Sequence, residues 1–194
     1  MSKLNMVEAL NLALSQEMAR DDRVCLMGED IAGGAGKEDF LEAWGGPFRT
    51  YVGLTKQFGT NRVIDTPISE MGFIGAAVGA ASVGLRPVAE LMFSDFVGVC
   101  LDQLLNNAAK MRYMYGGNVK VPMTVITHIG AGMSVAAQHS GTPYAIFAQI
   151  PGLKVVAPSD PYTAKGLLLS AIRDDDPVIF NIHKLSFANT GPVP

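Results

Sequence analysis

Apolar and polar positions along the chain switch repeatedly between a helical and a strand-like period. Val7, Leu10, Leu14 and Met18 recur at helical spacing after Ser2. Arg23 to Met27 is a short apolar run ending at Gly28-Glu29-Asp30, which predicts a buried strand and a turn. A glycine-rich loop follows at Gly33, Gly34 and Gly36, and the mixed stretch 41–60 shows no clear period. Arg62 to Asp65 predicts a second strand, Ser69 to Val83 a helix rich in small residues, and Pro87 to Phe93 a third strand. Phe96, Val99, Cys100, Leu104 and Ala108 place a helix over Asp95 to Met111. The β-branched run Val121 to Thr127 predicts a strand, closed by a turn at Gly130, Gly132 and Ser134. Leu153 to Ala157 and Pro177 to Ile182 predict two more strands around a helix over Pro161 to Arg173, capped by Ser159 or Asp160.

Strands alternating with longer helices imply βαβ units, hence an α/β fold with a mainly parallel sheet and helices on both faces. Ligands of such sheets lie beyond the carboxyl ends of the strands. Glu29, Phe96 and the Gly130 turn each follow a predicted strand, so they are expected to gather at one edge. A chain of 194 residues suits one domain with a real core. Residues 1–188 are expected to form it, and 189–194 read as the start of a linker to a further domain.

Composition narrows the chemistry. A net charge of −3 argues against nucleic acid as the main partner. No apolar run approaches the ~20 residues of a membrane span. Met1 to Met6 shows no leader pattern, and Cys25 and Cys100 lie in apolar contexts without metal-ligand spacing. Buried free thiols and a cytoplasmic location are the resulting expectations. Neither a phosphate-loop motif nor a dinucleotide fingerprint is present, His128, His139 and His183 are scattered, and no nucleophile elbow surrounds Ser134 or Ser140.

Three segments remain: Asp65-Thr66-Pro67-Ile68-Ser69-Glu70-Met71-Gly72-Phe73, Ala89-Glu90-Leu91-Met92-Phe93-Ser94-Asp95-Phe96, and Ala136-Ala137-Gln138-His139-Ser140. Singly, each has a plain structural reading. Glu70 would complement a helix dipole, Phe96 would be core, and His139 a hydrogen-bonded loop residue.

In this order and spacing the three segments closely resemble the β-subunits of thiamine-diphosphate-dependent 2-oxo-acid dehydrogenase first components, from Leu4 onwards. Gly28 to Gly36, Ala43-Trp44-Gly45-Gly46 and Arg112 to Gly117 are most similar to the acetoin dehydrogenase branch, whereas Pro151 to Val156 and Ala171 to Val178 resemble the whole family. The resemblance implies the pyrimidine-binding fold and oxidative cleavage of acetoin, with transfer of the two-carbon unit to lipoamide. Pyruvate or branched-chain 2-oxo acids are alternative substrates, and a non-catalytic binding or assembly module is the alternative of another class.

By the same resemblance, Glu70 matches the glutamate that hydrogen-bonds the cofactor's pyrimidine and promotes loss of the thiazolium proton. Phe96 matches the aromatic that stacks on that ring, with Ile68, Ser69 and Met92 completing its pocket and Glu29 close by. His139 matches a histidine facing the reactive carbon, placed to move protons. Met123, Ala171, Ile172, Asp174 and Asp176 match a structural potassium site made mostly of backbone carbonyls. The diphosphate signature and its magnesium belong to an α-subunit in this family. Expected partners are therefore that α-subunit, a second β-subunit to complete a heterotetramer, and a lipoyl acyltransferase core. The chain departs from the family at Ile146 and Gln149, where a tryptophan and a second histidine are usual.

Overall fold

The computed structural model describes residues 1–33 and 45–194. The predicted glycine loop from Gly34 on, and the Ala43-Trp44 half of one branch motif, lie outside the described residues. The elements are β1 (Ser2–Asn5), α1 (Met6–Arg20), β2 (Val24–Gly28), α2 (Leu54–Phe58), β3 (Val63–Asp65), α3 (Glu70–Ser82) and β4 (Arg86–Phe93). There follow α4 (Val97–Asp102), a π-helical stretch (Gln103–Ala108), α5 (Ala109–Met114), β5 (Thr124–Ile129), α6 (Tyr144–Ala148), β6 (Lys154–Val156), α7 (Pro161–Arg173), β7 (Val178–His183) and β8 (Thr190–Val193).

Six strands form one parallel sheet in the order β3-β2-β4-β5-β7-β6. The strand period of two splits its side chains between two cores. Val24, Leu26, Val88, Ile126, Val178, Phe180 and Ile182 pack under α1 and α7. Cys25, Met27, Ala89, Leu91, Val125 and Ile179 pack under α3 and the helical run 97–114. Burial on both faces explains why these strands read as continuous apolar runs rather than as alternating ones.

Helix boundaries follow local chemistry. Asp160 caps α7 by accepting from Thr163 N at 2.9 Å, with Pro161 in the first turn. The cap of α1 is Asn5, not the neighbourhood of Ser2, and Asn5 and Glu8 complete a reciprocal capping box. Ser2–Asn5 instead forms β1, paired antiparallel with β8. The stretch expected to be a linker therefore carries strand hydrogen bonds, and Val193 is buried on α7's side of the molecule. In α3 the small residues divide. Ala77 and Ala81 pack on the sheet, and at Gly75 a Cβ would sit 3.1 Å from Gln103 Oε1. Gly72, Ala76 and Gly79 are exposed, so close packing inside the chain accounts for only part of the stripe.

One buried carboxylate ties α1 to α7. Glu17 accepts from Arg173 Nε at 3.0 Å and from Arg20 Nη2 at 2.7 Å, while both arginines stay half-exposed. Burial alone would raise its pKa, but the two arginines outweigh that and lower it. Its contribution is therefore present above about pH 4.5 and lost on acidification. Glu17→Gln is expected to cost about 1–3 kcal/mol at pH 7, because hydrogen bonds to charged groups are lost while solvent screens the arginines. A urea unfolding midpoint indistinguishable from wild type would refute this.

Candidate active site

The ends of β2, β3, β4 and β5 bring the site together at one edge of the sheet. Beyond β2 the chain turns at Glu29, and two bonds join this turn to the end of β3. Thr66 N donates to Gly28 O at 3.0 Å, and Ala32 N donates to Asp65 Oδ1 at 2.6 Å. Residues 66–69 then lead into α3, whose first residue is Glu70. Ser69 occupies the cap position without a side-chain cap bond, and its carbonyl accepts from Phe73 N. Ile68 is 85% exposed and Met71 57% exposed, so this corner presents apolar side chains to an uncovered surface.

Glu29 and Glu70 are close enough to act on each other. Burial, then the negative charges of Glu70 and Asp30, push the Glu29 carboxyl up to about 7. Its Oε1 is buried without a hydrogen-bond partner among the described residues. Sequence reasoning missed a further member of this acidic group, Glu90. It is 2% exposed, in the middle of β4, with neither oxygen in a hydrogen bond of standard geometry among the described residues. Burial, eased by the Tyr51 hydroxyl and reinforced by the Glu29 charge, pushes it up to about 8. Gly28 makes room for it: a Cβ there would stand 3.0 Å from Glu90 Cβ. A lone carboxylate inside an apolar strand run was the available signal.

The aromatic half of the site follows β4 and β5. Phe96 lies in the 3-10 turn Ser94–Phe96, and His139 in the turn Ala137–His139. Their ring centroids are 5.3 Å apart at 83°, and Phe93 joins them at 5.7 Å from Phe96 and 4.4 Å from His139. These edge-to-face contacts hold the imidazole against two phenyl rings. His139 Nδ1 is buried without a hydrogen-bond partner among the described residues. Met92 is half-buried, and its carbonyl oxygen lies 2.8 Å from His128 Nδ1. Burial holds His128 down to about 3, so the ring is neutral and its Nδ1–H is the donor. Cys100, beneath Phe96, is held up to about 12 by burial and by the Glu70 charge, and is an inert thiol.

The positions expected to hold potassium lie at the opposite edge, where strands begin. Ile172 O and Asp174 O accept from Arg86 Nη1 at 3.0 and 2.9 Å. Ala171 O accepts from Asp174 N at 3.2 Å, and Met123 O from Val178 N at 3.0 Å. The Asp176 carboxylate pairs with Arg112 and Lys154. These four carbonyls already serve protein donors, and arginine and lysine supply the positive charge. Each carbonyl keeps a second lone pair, and a potassium ion among them remains what the resemblance implies.

Three comparisons bear on this geometry. The transketolase pyrimidine-binding domain model matches residues 2–189. The β-subunit of acetoin:2,6-dichlorophenolindophenol oxidoreductase from Bacillus subtilis (strain 168) is 54% identical over 193 residues, covering 98% of this chain and 56% of the relative. The mitochondrial β-subunit of pyruvate dehydrogenase E1 component from Drosophila melanogaster is 48% identical over 186 residues, covering 96% of this chain and 48% of the relative. The chain thus spans about half the length of the curated relatives it matches. A solved split-gene transketolase, described as an inactive beta4 tetramer, superposes with a TM-score of 0.67 at 18% identity. It covers 91% of this chain and 50% of that one, a likeness of fold alone. With the parallel six-stranded sheet and a family match along nearly its whole length, the chain belongs to the transketolase pyrimidine-binding domains.

Proposed function

We propose that this chain is the pyrimidine-binding part of a thiamine-diphosphate-dependent dehydrogenase β-subunit that cleaves acetoin oxidatively. One observation carries the reading: Glu70, Phe96 and His139 all follow strand ends at one edge of a parallel sheet, with Glu70 coupled to Glu29 and Phe96 touching His139. The 54% identity to an acetoin:2,6-dichlorophenolindophenol oxidoreductase β-subunit favours acetoin over pyruvate and branched-chain 2-oxo acids.

The residues fit the cofactor's pyrimidine end. Glu29 and His139 each offer a buried polar atom without a partner among the described residues, and Ile68 and Met71 offer apolar surface. When bound, thiamine diphosphate supplies a stabilised carbon nucleophile for cleaving the bond beside a carbonyl. In this reading Glu70 would hold a proton at the pyrimidine, the Phe96 ring would face it, and Ile68, Ser69 and Met92 would wall the ring. Glu29, pushed up to about 7 by burial and by the neighbouring Glu70 charge, would keep a proton in the pocket near neutral pH. His139 would move a proton at the reacting substrate.

An α-subunit would supply the diphosphate and magnesium contacts, a second β-subunit would complete the heterotetramer, and a lipoyl acyltransferase core would receive the two-carbon unit. Calorimetry of this chain alone with thiamine diphosphate and magnesium is expected to show weak binding or none; tight binding would refute the shared site. The assembled complex is expected to reduce 2,6-dichlorophenolindophenol faster with acetoin than with pyruvate or 2-oxoisovalerate. Faster reduction with either oxo acid would overturn the substrate assignment.

A further inference from the structure

We infer that Lys184 is a positioning residue for His139, clamping the His139 loop to the end of β7 while Asp95 clamps the same loop to the end of β4. That the clamp serves catalysis rests on the function proposed above; the clamp itself does not.

Lys184 is 2% exposed, an unusual place for an ammonium group. Its Nζ donates to the carbonyl oxygen of His139. The same ammonium lies 5.0 Å from the centroid of Phe93, the ring that meets the His139 imidazole edge-on. Two residues further on, Gly141 N donates to Asp95 Oδ1 at 2.9 Å. A Cβ there would stand 2.3 Å from that oxygen, so any side chain at this position would displace the Asp95 carboxylate. The base of the loop is closed by Gly130 N donating to Gly141 O at 2.8 Å. His139 is thus tied through its own carbonyl on one side and through Gly141 on the other.

The loop needs such ties. Residues 131–134 and 136–138 are exposed, and Ser134 and Ala136 hold positive φ values of 54° and 65°, costly for residues with a Cβ. Among the described residues no strand pairing fixes this segment. The two clamps come from different strands of the rigid sheet, so they transfer its order to the loop. Burial lowers the Lys184 pKa, and the Asp95 carboxylate offsets part of that cost.

The test is NMR of the full chain with 13C,15N-labelled histidine, whose three resonances are assigned by single His→Gln variants. Lys184→Met keeps the apolar stem and removes the donor. Its His139 Cε1–Hε1 signal is expected to broaden or double, while that of His128, packed between Phe48 and Phe187, stays sharp. Asp95→Ala provides a second variant if Lys184→Met fails to fold, with the same selective change expected. An unmoved His139 signal, or equal broadening at His128, overturns the clamp. In the assembled complex Lys184→Met is expected to lower kcat about 10²-fold with little change in KM, as a misplaced reacting group would. An unchanged kcat beside a loosened His139 overturns the catalytic role of the clamp. Should the wild-type complex show no thiamine-dependent turnover while the NMR result holds, the function fails and the clamp stands.

Discussion

Glu70→Gln is expected to slow hydrogen–deuterium exchange at the thiazolium carbon of thiamine diphosphate by about 10²–10⁴-fold in the assembled complex, the usual span of a general acid–base contribution. The substitution keeps the side chain's shape and its place as the first residue of α3. It removes the acid that, in the proposed mechanism, would hand a proton to a pyrimidine nitrogen and take it back. Exchange is the right readout because it precedes any step that involves the substrate or His139. The competing account makes Glu70 a first-turn carboxylate complementing the helix dipole, worth roughly 0.3–1 kcal/mol. Under that account the variant melts slightly earlier and exchanges at the wild-type rate. A wild-type exchange rate in a correctly assembled complex would remove Glu70 from the mechanism.

Glu90→Gln is expected to change how stability depends on pH. Glu90 is raised from 4.5 to about 8 by burial, with the Tyr51 hydroxyl opposing and the Glu29 charge adding. Its folded-state value thus lies above the unfolded one. The stability it contributes is fully present below about pH 4.5 and is lost as pH rises through about 8. Glutamine has no proton to lose. The stability difference, variant minus wild type, should therefore climb between pH 5 and pH 9 by up to on the order of 4 kcal/mol. An amide that stays unpaired adds an offset at every pH, so the slope carries the test. His128, held down to about 3 by burial, works in the other direction: its stability is gained as pH rises towards 6.5, and it is the same in both proteins. Urea unfolding at pH 5, 7 and 9 measures this directly, and parallel curves for the two proteins would refute the buried acid.

Particular elements show how far each level of reasoning reached. The strand over Arg23–Met27 appears as Val24–Gly28, and the helix over Pro161–Arg173 with the bounds its proline and Asp160 imply. These were legible because a strand buried on both faces and a capped helix are set by neighbours in sequence. The helix over Asp95–Met111 was legible as helical. Its subdivision into a 3-10 turn, α4, a π-helical stretch and α5 was not, since pieces of 3 to 6 residues are too short for their different periods to show.

The pairing of β1 with β8 was not legible either. Thr190-Gly191-Pro192-Val193 has no alternation to announce a strand, and its partner lies at the other end of the chain. The site divides along the same line. Glu70, Phe96 and His139 could be singled out from their motifs, and each lies on a segment that leaves the carboxyl end of a parallel strand, so the topology brings them to one edge. Glu90 became part of an acidic group only through the strand register that sets it beside Gly28 and Glu29. Lys184 and Asp95 became partners of the His139 loop only because β7 and β4 flank β5 in the sheet. Sequence patterns reach the chemistry a residue can perform and the element that carries it. Which charges are buried together, and at what protonation, follows from the desolvation and distance that only the packed chain sets.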